Sequence, residues 1–131
     1  MQKILLVDDD KTLLSSMGEF FEAVLGMKCI LLTGLADIVA QEAEILDRDV
    51  KFAILDINLG QGQPSGIDVY QWLCDHHFQG KCVFLTGHAK DHPLVKNASL
   101  MKGVHVFEKP LEIDQLISLI KGQPLADVQA G

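Results

Sequence analysis

Four apolar runs in this 131-residue chain each end on a group capable of chemistry. "ILLV" (4–7) drives into three consecutive carboxylates, Asp8, Asp9 and Asp10. "FAIL" (52–55) ends at Asp56, "VFL" (83–85) at Thr86 and "VHVFE" (104–108) at Lys109. Three acids at the mouth of a buried strand repel one another. Two carboxylates about 4 Å apart cost roughly 4 kcal/mol at an effective dielectric near 20. A divalent cation, which takes oxygen ligands, would offset that repulsion. A plain helix cap accounts for only one acid: Asp10 suits the N-cap of a helix that starts near Lys11.

Short apolar runs alternate with longer amphipathic stretches along the chain. Residues 3–7 form a strand. Leu13, Leu14, Met17, Phe20, Phe21, Val24 and Leu25 recur at helical spacing over 11–25, and Gly26 stops that helix. Further strands are expected at 28–34, 51–57, 81–87 and 104–108. Helices are expected at 35–48 (Ile38, Val39, Ala43, Ile45 and Leu46 on the apolar side), 66–77, 93–102 and 112–122. Pro93 suits the first turn of its helix. Continuously apolar strands alternating with helices predict a parallel α/β sheet covered on both faces. In such sheets the functional groups stand outside the carboxyl ends of the strands. Asp8–Asp9, Asp56, Thr86 and Lys109 all fall there.

Composition narrows the functional classes. Charged residues at 22% and hydrophobic residues at 48% are ordinary for a globular chain. A net charge of −7 argues against a nucleic-acid surface. No run of 18 apolar residues predicts a membrane span, and no signal-peptide pattern opens the chain. Cys29, Cys74 and Cys82 form an odd set without CxxC spacing. They are read as reduced, mostly structural thiols in a reducing cytoplasm.

Taken together, "LLVDDD" (5–10), "AILDINL" (53–59), "FLTGHA" (84–89) and "FEKP" (107–110) resemble the response-regulator receiver domain of two-component signalling. Each motif is weak alone, but their order and their places at strand ends are specific. The resemblance spans about residues 2–122. It implies a doubly wound, five-stranded (βα)5 fold of flavodoxin-like strand order 2-1-3-4-5. Residues 1–122 would be the receiver domain, and 123–131 a tail or the start of a linker.

The resemblance also implies roles. Asp56 would attack a phosphohistidine donor to give an acyl phosphate. Asp8, Asp9, Asp56 and the Asn58 backbone carbonyl would hold Mg²⁺, with Asp8 acting largely through water. Thr86 would be the switch hydroxyl and swing inward on phosphorylation. Lys109 would pair with a phosphoryl oxygen, aimed by a cis Lys109–Pro110 bond. The chemistry is consistent, since phosphoryl transfer between anions needs charge neutralisation and in-line positioning above all. The chain would be a phosphoacceptor that catalyses only its own phosphorylation and dephosphorylation, not an enzyme in the ordinary sense. Its partners would be a histidine kinase or phosphotransfer protein and a downstream protein or output domain. The partner surface would lie over roughly 91–122, including Leu94, Val95, Leu100, Val106 and Leu116. Nucleic acid and membrane are not expected as direct partners. The family often dimerises on phosphorylation.

Two departures stand out. The family's proline and glycine fall four and eight residues after the acceptor, whereas here Gly60 holds the proline position and Gly66 arrives after ten. That reads as a two-residue insertion over 57–65, beside the metal site. Where the family often has Tyr or Phe, three residues before Lys109, this chain has Val106; alternation points Phe107 to the other face. His88, two residues past Thr86, lies where the family tunes water access. Of the remaining histidines (His76, His77, His92, His105), "CDHH" (74–77) suits a helix C-terminus better than a metal site.

Two competing readings remain open on sequence. A haloacid-dehalogenase-type phosphohydrolase also uses an Asp nucleophile with Mg²⁺, but its general acid would stand where Asn58 is. A phosphate-independent interaction module on the same scaffold would tend to lose the clustered acids that this chain keeps.

Overall fold

The structure, a computed structural model, describes residues 2–60, 62–87, 104–109 and 113–120. The expected helix over 93–102, His88, His92, Pro110 and the segment 123–131 lie outside the described residues.

Five strands build one parallel sheet: β1 (Lys3–Val7), β2 (Lys28–Leu32), β3 (Val50–Asp56), β4 (Lys81–Thr86) and β5 (His105–Glu108). Their order is β2-β1-β3-β4-β5. The helices described are α1 (Lys11–Leu25), α2 (Leu35–Ala40), α3 (Glu42–Ile45), α4 (Gly66–Asp75) and α5 (Ile113–Ile120).

The central strands read as unbroken apolar runs because both their faces are covered. Along β1, Ile4 and Leu6 pack with Leu14 and Phe21 of α1, whereas Leu5 and Val7 pack with Ile38, Ile45, Val69 and Leu73 of α2, α3 and α4. The edge strand β2 keeps only Ile30 and Leu32 buried, and Leu31 is exposed. This gives the expected doubly wound α/β sheet.

Local chemistry sets the helix ends. Asp10 is extended and its side chain accepts the Leu13 amide at 3.1 Å, the expected N-cap of α1. Gly26 closes α1 at φ 64, a conformation that glycine adopts without a Cβ penalty. The stretch 35–48 departs from expectation. It breaks at Gln41 (φ −115, ψ 32), whose amide is shared by the Asp37 and Ile38 carbonyls at 3.1 Å each. Ile38 and Ile45 are fully buried on either side of the break, while Val39 and Ala43 face solvent. The second piece is a single turn because the chain must re-enter the sheet at Val50, whose amide bonds the Asp47 carbonyl at 3.0 Å.

Candidate functional site

The sheet register alone assembles the site. Val7 lies beside Leu55, so Asp8, one residue on, stands next to Asp56. Asp56 pairs with Leu85, which brings Thr86 alongside. Thr86 pairs with Glu108, and its carbonyl takes the Lys109 amide at 2.8 Å. Residues 8, 56, 86 and 109 are thus drawn from four strands to one sheet edge by backbone pairing.

Asp8, Asp56 and Thr86 are buried at 3%, 5% and 1% exposure. The Lys109 ammonium bridges the two acids, 3.0 Å from Asp8 Oδ2 and 3.1 Å from Asp56 Oδ2. The other Asp8 oxygen accepts the Asp10 amide at 2.9 Å. Asp9 is exposed at the rim. One carboxylate oxygen from each of Asp8, Asp9 and Asp56 lies within 4.8 Å of the others. That set of hard oxygen donors suits Mg²⁺ or Ca²⁺.

The electrostatics favour the same conclusion. Burial, then the neighbouring Asp8 charge, pushes the Asp56 carboxyl up to about 7, although Lys109 draws it back. Burial alone would lower the Lys109 ammonium. The hydrogen bonds and charges of Asp8 and Asp56 outweigh it and hold the ammonium above its ordinary value, so it stays charged. One lysine does not offset three acids, and a cation would fit among them.

Asn58 is exposed, and its side-chain oxygen accepts the Gly60 amide at 3.1 Å. That oxygen shapes the loop. The loop 57–65 is pinned where it closes: the Gly66 amide bonds the Ile57 carbonyl at 2.8 Å. A Cβ on Gly66 would sit 2.2 Å from the Asp56 carbonyl oxygen, so only glycine lets α4 start this close to the acceptor strand. Ser65 and Asp68 form a capping box across the start of α4. Its Ser-x-x-Asp spacing is legible in the sequence.

Val106 is half-buried against the core on the α4 side, whereas Phe107 is buried on the α1 side with Phe21 and Leu85. The alternation expected of them holds. Cys82 is buried and Cys29 half-buried, but Cys74 is exposed. All three are free. A cleft of about 790 Å³ opens beside Asp9, walled by Lys11, Thr33, Leu35, Val39, Leu59 and Pro64 among others. It joins three loops distant in sequence, so no local pattern announces it.

A sequence model described as the response regulator receiver domain matches residues 4–121 of the chain. Among solved structures, the chain is similar to a CheY-like response regulator receiver domain protein from Methanospirillum hungatei JF-1, at 24% identity and TM-score 0.75, covering 93% of this chain and 92% of that one. A receiver domain protein from Clostridium thermocellum aligns at 21% identity and TM-score 0.76, covering 93% of both chains. A response regulator protein from Burkholderia pseudomallei, solved with a phosphorylated aspartic acid, a calcium ion and citrate, aligns at 19% identity and TM-score 0.75, covering 99% of this chain and 72% of that one. No curated protein sequence matches.

Proposed function

This chain belongs to the response regulator receiver domain family, and from that premise we propose that Asp56 accepts a phosphoryl group from a phosphohistidine donor in a Mg²⁺-dependent reaction. The observation that carries the reading is the single geometry of Asp56: buried, held 3.1 Å from the Lys109 ammonium, and within 4.8 Å of both Asp8 and Asp9 through their carboxylate oxygens.

Each residue has a task in this reading. The Asp56 carboxylate is the nucleophile, and the strand end holds it rigidly for in-line attack. Asp8, Asp9, Asp56 and the Asn58 carbonyl would hold Mg²⁺, which supplies neutralisation of the charge on the transferring group. Lys109, already a donor to two acids, turns to a phosphoryl oxygen as a point charge. Thr86, on the neighbouring strand, supplies a hydroxyl to the phosphoryl group and carries the switch. Asp10 does none of this and caps α1.

Residues 1–122 act as the receiver, with 123–131 as tail or linker. The phosphodonor is a histidine kinase or phosphotransfer protein. The switched surface passes the signal to a downstream partner or output domain, and phosphorylation favours a homodimer. The place of action is the cytoplasm; no described helix is long and apolar enough to cross a membrane.

The test is intact mass after incubation with a small-molecule phosphodonor and Mg²⁺, for the wild type and for Asp56→Asn, with an EDTA control. The expected result is a single phosphoryl adduct that needs Mg²⁺ and is absent from the variant. A folded, Mg²⁺-binding protein that takes no adduct overturns the reading.

A further inference from the structure

Far from the acidic site, at the opposite end of β4, two cysteines share one cavity. Cys74 is the penultimate residue of α4 and Cys82 the second residue of β4. Both line a cavity of about 240 Å³ together with Tyr70, Leu73, Phe78, Gly80 and Lys81. The connection between them folds back tightly. His77 takes φ 62, its amide bonds the Cys74 carbonyl at 3.1 Å, and the Phe78 amide bonds the Leu73 carbonyl at 2.9 Å. Gly80 then packs so closely on the Lys51 carbonyl that a Cβ there would lie 2.7 Å from its oxygen. The end of α4 is thereby held over the start of β4.

The two thiols differ in access. Cys74 is exposed and Cys82 is buried at 7% exposure. The adjacent Cys74, then burial, pushes the Tyr70 phenol up to about 12. Cys29, which lies elsewhere against the Gly18 carbonyl at 3.8 Å, has no thiol beside it among the described residues.

We propose that Cys74 and Cys82 are a thiol modification site that hydroperoxides oxidise to an intramolecular disulfide, with Cys74 the attacking thiol and Cys82 the resolving one. The Cys74 thiolate attacks a peroxide oxygen. An S–O bond forms and the O–O bond breaks. The leaving hydroxide takes up the proton released when Cys74 ionised and departs as water. Cys74 is left as a sulfenic acid. The Cys82 sulfur then displaces the sulfenic hydroxyl. The S–S bond forms, the S–O bond breaks, and the hydroxyl leaves as water with the Cys82 proton. In total, two thiols lose two electrons and two protons, and hydrogen peroxide is reduced to two waters. The Cys82 thiol is pushed up to about 12, first by burial and then by the charge of a Cys74 thiolate. The first step removes that second penalty, because the sulfenic acid is neutral. The bridge would staple α4 to β4, the strand that carries Thr86 at its other end.

The test treats the full chain with hydrogen peroxide and reads intact mass and disulfide-linked peptides under non-reducing conditions. The expected outcome is a loss of about 2 Da per monomer, reversed by dithiothreitol, with Cys74 and Cys82 in one linked peptide pair. Cys29→Ser should behave as the wild type. In Cys82→Ala, Cys74 should stop at a sulfenic acid that a dimedone probe traps. Accumulation of sulfinic acid on Cys74 in the wild type, a dimer bridged through Cys74, or a bridge that uses Cys29 would each overturn the proposal. The wild-type peptide map decides even where a variant fails to fold.

Discussion

At the scale of single residues, the site stores unfavourable electrostatics. Asp56 and Asp8 are buried side by side with one ammonium between them. In the fold, burial and then the Asp8 charge push the Asp56 carboxyl up to about 7, against an ordinary 3.8. A carboxyl whose folded value lies above its unfolded one favours the fold while it is protonated. That contribution is full below about pH 4 and is lost as pH rises through about 7. Metal-free protein should therefore lose stability between pH 5.5 and 8, and Asp56→Asn should lose much less. Urea midpoints in EDTA at the two pH values check this; parallel losses in the two proteins would refute the raised carboxyl. At pH 8 the variant should be the more stable by about 1–3 kcal/mol, the scale of one buried like-charge contact partly offset by lysine. On the proposed function, Lys109→Ala should still accept a cation but lose most of the phosphorylation rate, which a time course of adduct formation measures.

At the scale of elements, the segment that leaves Asp56 and returns as α4 matters most. Gly66 is required by the approach of α4 to the Asp56 carbonyl, so Gly66→Ala should cost about 3 kcal/mol or more in urea unfolding. Removing the cap with Ser65→Ala should cost only about 1 kcal/mol, because the bonds from the Ile67 and Asp68 amides to its hydroxyl are lost but no atoms clash. The contrast between the two substitutions is the check. Comparable losses would mean that α4 is anchored by its cap and not by the close approach. A two-residue insertion over 57–65 would be tolerated on the same ground. The loop is free to lengthen between two pinned ends, Asp56 in the sheet and Gly66 against it.

At the scale of the whole molecule, β1 and β3 lie inside a sheet covered on both faces, and the acids gather where those strands end. A cation that binds only the folded arrangement must stabilise the whole fold by linkage. At about a hundredfold excess over its Kd the gain is about 2.7 kcal/mol. Mg²⁺ should accordingly raise the Tm of the wild type, and EDTA should reverse the rise. Asp9→Ala, at the exposed rim, should blunt the effect while leaving the metal-free Tm nearly unchanged. A Mg²⁺ shift that survives in Asp9→Ala would remove that residue from the ligand set.

Most of the elements, and the chemistry they carry, are legible in the order of residues alone. Apolar runs that end in Asp8, Asp56, Thr86 and Lys109 mark strands and strand ends, because a fully buried strand leaves no room for charge until it emerges. Asp10 as a cap, Gly26 as a stop and the opposite faces of Val106 and Phe107 follow from local geometry and could be read directly. The packing of distant segments sets how near the acids come, how far burial and like charge raise Asp56, and why Gly66 must be glycine. It also split the helix at Gln41, since two fully buried isoleucines had to reach one core from either side of the break. Those outcomes depend on strand register and on packing between segments far apart in the chain, and no local pattern records such distances. The shared cavity of Cys74 and Cys82 belongs with them: their spacing in sequence is silent, and the fold of α4 onto β4 brings them together.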